Sequence, residues 1–303
     1  MDRDETAIAK TVLYASLFDY PLTLDQLHES LIASSTSREQ VMATFEASVD
    51  LKAVVEVRDG FFFPAGRFDL VAERRRREQR SRQFLRRHDR LLRWLCALPF
   101  IRMVALSGSI AHLNLEDGGD LDLFIVTRGR SVWTVTVAII VLTRLLGVRR
   151  VVCANFVMSD EHLAIEQQDL FTANQVLHLK PLVGQEVFDG FLAANGFVQR
   201  FYPNRSRLRR NAFAIAQSRT LDFARRLSET LLAPVLPCVE ALCRRVYAAH
   251  LHRRAGSWHS PTEVALRPDY LKLHTQSHRE SVLRRFESCV DEALGQAERA
   301  AIA

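Results

Sequence analysis

The sequence predicts an α+β protein. A mixed-sheet core occupies the middle of the chain, a small helix-and-hairpin module precedes it, and a helical region follows. Three observations carry this reading. Residues 100–166 alternate between apolar β-branched runs and helix-like runs. Residues 5–65 hold three short helical patterns and then two strand-like runs around Asp59-Gly60. Residues 169–303 show mostly helical periodicity, broken at prolines. A chain of 303 residues suits two or three domains. The predicted divisions are 1–66, 67–98, 99–168 and 169–303.

In the first module, Ile8, Val12, Ala15 and Leu17 recur near helical spacing, and Pro21 ends that helix. Thr23 and Ser37 are placed to cap the second and third helices. "AVVEV" and "FFFPAG" then flank Arg58-Asp59-Gly60, and Asp-Gly between two such runs signals a tight hairpin. Three helices and a hairpin are the outline of a winged helix-turn-helix. Residues 67–98 read as one long connecting helix, Arg-rich at first and apolar later. The Arg-rich face suits either plain solvation or the steering of nucleic acid or triphosphate.

In the core, "IRMVALS", "LDLFIVT" and "RRVVCANFVM" are expected strands, with "LAIE" a possible fourth. Helices are expected near 109–113 and over 131–146. Further on, Asp169 should cap "LFTANQVLHLK", which Pro181 ends, and "GQEVFDGFLAAN" follows as a helix. "YPNRSRLRRN" is an expected basic loop, whose Arg205, Arg207, Arg209 and Arg210 could grip a polyanion. A long helical region over 211–254 should kink at Pro234 and Pro237, and the tail 278–300 is amphipathic.

Composition excludes several classes. Apolar residues make up 48 % and charged residues 25 %, which is not the balance of a disordered chain. The net charge of +6 and pI of about 9.3 are compatible with nucleotide or nucleic-acid partners. The five cysteines form no C-x-x-C pair and no zinc spacing, so buried free thiols and a reducing cytoplasm are expected. The N-terminus has no apolar signal core. The most apolar run, 132–146, is interrupted by Thr134, Thr136, Thr143 and Arg144, and no membrane partner is expected.

The stretch "VALSGSIAHLNLEDGGDLDLFIVT", residues 104–127, concentrates the chemistry. Asp120 and Asp122 are two apart, so on a strand both side chains share one face while Leu121 and Leu123 point to the core. Two carboxylates on one face repel unless a cation lies between them. Hard divalent cations, Mg²⁺ or Mn²⁺, would satisfy them. Upstream, Gly108 lets the backbone approach a phosphate, and Ser109 with the following amides could hold triphosphate oxygens.

Gly108-Ser109, a ten-residue gap and then Asp120-Leu121-Asp122-Leu123 resemble the signature of the DNA polymerase β-like nucleotidyltransferase superfamily. The resemblance covers residues 100–166. The preceding module is similar to that of bacterial nucleotidyltransferase-domain proteins with an N-terminal winged helix. It implies a mixed-sheet nucleotidyltransferase core with Asp120 and Asp122 as metal-binding catalytic residues and Gly108 and Ser109 at the nucleotide. It also implies transfer of a nucleoside monophosphate from an NTP to a hydroxyl or amine of an acceptor, whether small molecule, protein or RNA.

The chain departs from that pattern at one point. The family's third carboxylate belongs on a later strand, here "VVCANFVM", which has Asn155 in its middle and no acid. An amide cannot take a proton at neutral pH. Glu166 is the substitute the sequence offers, while Asp160 reads as a turn residue. Lys180 could contact phosphate, as could His112, which otherwise reads as a helix-surface residue. Two other readings follow: a catalytically impaired nucleotide-binding regulator, favoured by Asn155, and a DNA-binding regulator acting through residues 1–66. Arg38, Gln40 and Lys52 favour the latter, while Glu39, Glu46 and Asp50 oppose it.

Overall fold

A computed structural model describes residues 1–205, 213–216, 218–275 and 277–302. The N-terminal module runs α1 (Arg3–Ser16), β1 (Leu22–Thr23), α2 (Leu24–Glu29), α3 (Arg38–Ala47), α4 (Val49–Val54), β2 (Val55–Arg58) and β3 (Phe61–Pro64). Its caps are those expected: Thr23 and Ser37 each close a capping box, with Gln26 and Gln40 bonding back. Asp59 and Gly60, both at positive φ, make the two-residue turn between β2 and β3. The three strands pair in the order β1-β3-β2.

The connecting segment is two helices rather than one, α5 (Asp69–Arg87) and α6 (Asp89–Cys96). His88 leaves helical geometry at ψ 11° and turns its ring back onto the Phe84 carbonyl, 2.9 Å away. The break lets α6 swing its apolar face, with Leu92 and Leu95, onto the core sheet.

The core continues as β4 (Ile101–Leu106), α7 (Gly108–Ala111), β5 (Leu121–Thr127), α8 (Val132–Leu145) and β6 (Val152–Ser159). Then come α9 (Leu170–His178), β7 (Lys180–Val183), α10 (Gln185–Ala194), α11 (Val198–Phe201), α12 (Arg219–Leu232) and α13 (Leu236–Arg253). The chain ends with β8 (Val264–Leu266), β9 (Tyr270–Leu273) and α14 (Arg279–Ile302). The central sheet is mixed, in the order β7-β4-β5-β6-β9-β8. Among the described residues, only β5 and β6 are parallel neighbours, joined by the crossover helix α8.

Residues 100–166 supply three strands, within the three or four expected, and the region after residue 169 adds three more to the same sheet. Pro181 begins no loop: it sits in β7, an edge strand, where a missing N–H is tolerated. β8 and β9 are short and half-buried, so their alternation is too brief to register against the helical pattern around them. The segment "LAIE" is not a strand. The long helical region after 218 is interrupted, not kinked, between Leu232 and Leu236, at the expected prolines. Arg207, Arg209 and Arg210 lie outside the described residues. Cys96 alone of the five thiols is fully buried, and all five are free. Among the described residues, no helix is long and apolar enough to cross a membrane.

One face of the central sheet packs against α6, α8 and α13, through Leu95, Trp133, Ile139 and Leu251. The other packs against α9, α10 and α11, with Tyr14 reaching in from α1. Val290 and Ala293 of α14 are buried in the core of the N-terminal module, beside Ile8, Val12 and Leu27. The last helix of the chain therefore completes the first module.

Glu240 of α13 caps the start of α8. Its buried carboxylate accepts from the Trp133 and Thr134 amides, at 2.9 and 2.7 Å, and from the Thr134 hydroxyl at 2.6 Å. These amides are donors that a helix start leaves without intrahelical partners. Glu240→Ala is expected to lower unfolding free energy by about 1–3 kcal/mol, measured by urea denaturation. A second anchor joins α14 to the core, where Arg279 pairs with Asp169, the cap of α9, and with Glu263.

Burial pushes the Asp169 and Glu263 carboxyls up. Bonds from Thr172 and Arg279 at Asp169, and from Lys272 and Gln167 at Glu263, outweigh it, and both end below the ordinary carboxyl range. Folding thus favours their ionised forms. That stabilisation is complete above the unfolded carboxyl values and is lost as pH falls through the lowered folded ones. Urea midpoints should therefore fall between about pH 5 and pH 2, and Asp169→Asn should remove part of that slope.

Candidate functional site

The adjoining ends of β4 and β5 build the site. The strands pair antiparallel with Leu106 opposite Leu123, so the chain leaving β4 passes directly over Asp122. The Ser107 amide donates to the Asp122 carbonyl at 2.9 Å. Gly108 follows at φ +58°. A Cβ there would sit 2.3 Å from Oδ2 of Asp122. Both the left-handed backbone and the contact require glycine. The glycine of the Gly-Ser pair is thus the surface against which the Asp122 carboxyl rests.

The loop from α7 to Asp120 is held from outside by α5. Arg74 donates to the His112 carbonyl, Arg80 donates to the Leu115 carbonyl, and the Ser81 hydroxyl accepts from the Leu115 amide. Arg77 and Arg80 also reach Glu116 and Asp117. The Arg-rich run is therefore partly spent on anchoring this loop, and several of its other members pair along the helix with Glu73 and Glu78.

On the other side lies β6. Asp122 stands opposite Cys153 and Phe124 opposite Phe156, so β6 carries an extra residue between them. That bulge keeps Asn155 on the side of Cys153 and Asp122, while Phe156 still stacks on Phe124 at 4.7 Å. The Cys153 thiol donates to Asn155 Oδ1 at 2.8 Å, and Asn155 Nδ2 approaches Asp122 Oδ1 at 3.5 Å. One ligand atom each from Asp120, Asp122 and Cys153 lie within 4.8 Å of one another.

The electrostatics are strained in one direction. Burial, and then the charge of Asp120, raise the Asp122 carboxyl to about 7. Burial also raises Asp120. Burial and the two carboxylates push the Cys153 thiol up to about 12. A group of this kind gains when a cation takes the place of the second negative charge's repulsion. The donor chemistry fits a hard divalent cation: two carboxylate oxygens supply the charge, while Asn155 keeps its Oδ1 on the Cys153 thiol and its Nδ2 toward Asp122. Cys153 keeps its proton and serves as a donor to Asn155 rather than as a thiolate.

The other expected residues are distributed unequally. Ser109 follows Gly108 in α7, half-exposed beside the site. Lys180 starts β7 opposite Leu106, one residue from Ser107, and directly follows Leu179, the C-cap of α9. His112 is not a free surface side chain. Its ring packs on His178 at 4.0 Å and on Tyr20 at 5.3 Å, and burial, with the charges of Lys180 and Arg74, lowers it to about 3. Glu166 does not join the cluster: it is exposed and ion-paired with Arg267 beyond β8. Asp160 is the turn residue expected, accepting from the Gly129 amide at 2.7 Å. Cys153 was missed as a site residue. Its position two before Asn155 on one strand was the available signal.

Gly108→Ala forces the new methyl group and the Asp122 carboxyl apart. It is expected to cost about 1–3 kcal/mol in urea unfolding and to weaken Mn²⁺ binding by at least about tenfold in calorimetry. The chain matches no family model, and no curated protein and no solved structure is significantly similar to it.

Proposed function

We propose that the chain is a metal-dependent nucleotidyltransferase of the DNA polymerase β-like type, preceded by a winged-helix module. The observation that carries this is the contact of Gly108 with the Asp122 carboxyl, beside Asp120. It joins the Gly-Ser turn and the acidic pair, ten residues apart in sequence, into a single surface.

Asp120 and Asp122 would hold Mg²⁺ or Mn²⁺, which when bound supplies charge neutralisation at the phosphoryl oxygens and the leaving pyrophosphate. The chain's own contribution is positional. Gly108 admits the triphosphate close to the backbone, and Ser109 offers a hydroxyl beside it. The loop anchored by α5 fixes Asp120. Asn155 orients Asp122 but cannot accept the proton of an acceptor hydroxyl. A base on the acceptor itself, or one supplied by a partner subunit, would have to take that proton.

Asn155 also supports the second reading, a nucleotide-binding regulator with weak turnover. The DNA-binding reading has less support. Arg38 on α3 is ion-paired with Asp25, Arg58 covers the Phe68 ring, and Arg75 pairs with Asp59 of the turn. Few cations on that face remain for phosphate.

Calorimetry should detect NTP binding that requires Mg²⁺ or Mn²⁺ and is lost in Asp120→Ala/Asp122→Ala. Absence of binding by all four NTPs would overturn the nucleotide chemistry. Asn155→Asp, which adds the third carboxylate, should tighten Mn²⁺ binding about tenfold and raise transfer to a labelled acceptor pool if the enzyme reading holds.

A further inference from the structure

Helix α12 is amphipathic in the reverse of the usual sense. None of its residues is buried. Phe223, Leu227 and Leu231 follow one another at four-residue steps, so they share one face, and they are 68, 49 and 68 % exposed. The side that meets the protein is polar. There the Glu229 carboxylate accepts from the Phe100 amide at 2.9 Å, and Arg225 donates to the Ile101 carbonyl at 3.3 Å while pairing with Asp222. A helix on a globular body ordinarily turns its apolar stripe inward. Here polar bonds to the start of β4 hold the helix, and the apolar stripe faces out.

The stripe does not stand alone. Leu232 and Val235 continue the exposed apolar surface toward α13, where Leu242 and Val246, one turn apart, are exposed as well. Half of the large apolar side chains exposed among the described residues lie between Phe223 and Val246. Exposure clustered in this way marks a contact surface.

Charge selects what covers it. Residues 218–260 carry six exposed arginines, Arg219, Arg226, Arg244, Arg245, Arg253 and Arg254, and no exposed acid. Their three acids are all engaged: Asp222 by Arg225 and Arg226, Glu229 by the Phe100 amide, and Glu240 by the start of α8. Helix α8, which packs against α13, adds exposed Val141, Arg144 and Leu145, and no acid occurs from 123 to 159. The charges of Arg149, Arg144 and Arg254 all act on the Tyr247 hydroxyl of α13, which places the cations of the two helix ends close together. A two-fold contact between copies of such a face would set arginine against arginine. A bilayer surface bearing anionic headgroups has no such conflict. It takes aliphatic and aromatic side chains at the acyl boundary and guanidinium groups at the phosphates.

We propose that α12 is an interfacial anchor that lays Phe223, Leu227 and Leu231 into the surface of an anionic bilayer. Arg219 and Arg226, two turns apart and so on one flank of the stripe, reach the headgroups. With 14 residues, α12 lies on the surface and does not cross it. The expectation of no membrane partner followed from the lack of a span and does not extend to a helix of this kind. The anchor is independent of the nucleotidyltransferase reading, and the failure of either leaves the other standing.

The test is cosedimentation of the full chain with vesicles of phosphatidylcholine alone, or of two parts phosphatidylcholine to one part phosphatidylglycerol. The mixed vesicles should bind at least about tenfold more tightly, and the difference should shrink at high salt. Phe223→Ser/Leu227→Ser/Leu231→Ser should weaken that binding by at least about tenfold and leave the thermal unfolding midpoint unchanged, because these side chains have little burial to lose. Arg219→Ser/Arg226→Ser should weaken binding to the mixed vesicles about tenfold, with no effect on the neutral ones. In Phe223→Trp, the emission added to that of the wild type should shift to the blue when mixed vesicles are present. No binding to either vesicle would overturn the proposal, as would binding that the triple serine variant leaves intact. Self-association that this variant abolishes, in a chain that ignores vesicles, would overturn it and assign the face to a second copy.

Discussion

Asp120 and Asp122 carry their carboxyls at the mouth of an apolar strand, and moving two such groups out of water together costs more than moving either alone. The cost is visible in the Asp122 carboxyl, raised to about 7. Much of the surrounding structure holds that pair in place rather than relieving it. Gly108 closes over Asp122 at a distance no side chain would allow. The bulge in β6 brings Cys153 and Asn155 to its flank. The arginines and Ser81 of α5 tether the loop that delivers Asp120. A pair held so firmly at a cost is what the proposed metal–nucleotide ligand would require.

The N-terminal module is fastened to the core at several places. Tyr14 enters the core from α1, the Tyr20 hydroxyl donates to the His112 carbonyl at 3.0 Å, and Ala33 bonds the Phe201 carbonyl at 2.8 Å. From the other end of the chain, α14 buries Val290 and Ala293 in the module's own core, and Arg279 fastens its start to Asp169. A module clasped from both sides is poorly arranged to swing onto a separate macromolecule.

The catalytic question narrows to Asn155. It occupies the flank of Asp122 where a proton acceptor would be useful, and it supplies only an amide. Glu166, the substitute the sequence offered, is committed to Arg267. The site therefore holds the groups the proposed cation would need and lacks, among the described residues, a carboxylate beside Asp122 other than Asp120 to take a proton. Under the proposed function, binding and turnover would be separable, and the second would depend on the acceptor's own chemistry.

Sequence by itself determined the local elements: the capped helices α2 and α3, the Asp59-Gly60 turn, the strands β4, β5 and β6, and the pairing of two carboxylates on one face of β5. Each follows from side-chain chemistry or a period within about ten residues. The break at His88, the strands β7 to β9 and the burial of His112 were decided by tertiary packing, because each depends on a partner far away in the chain. The same holds for Cys153. Its spacing from Asn155 puts both on one side of β6, but only the parallel register with β5 sets that side beside Asp122.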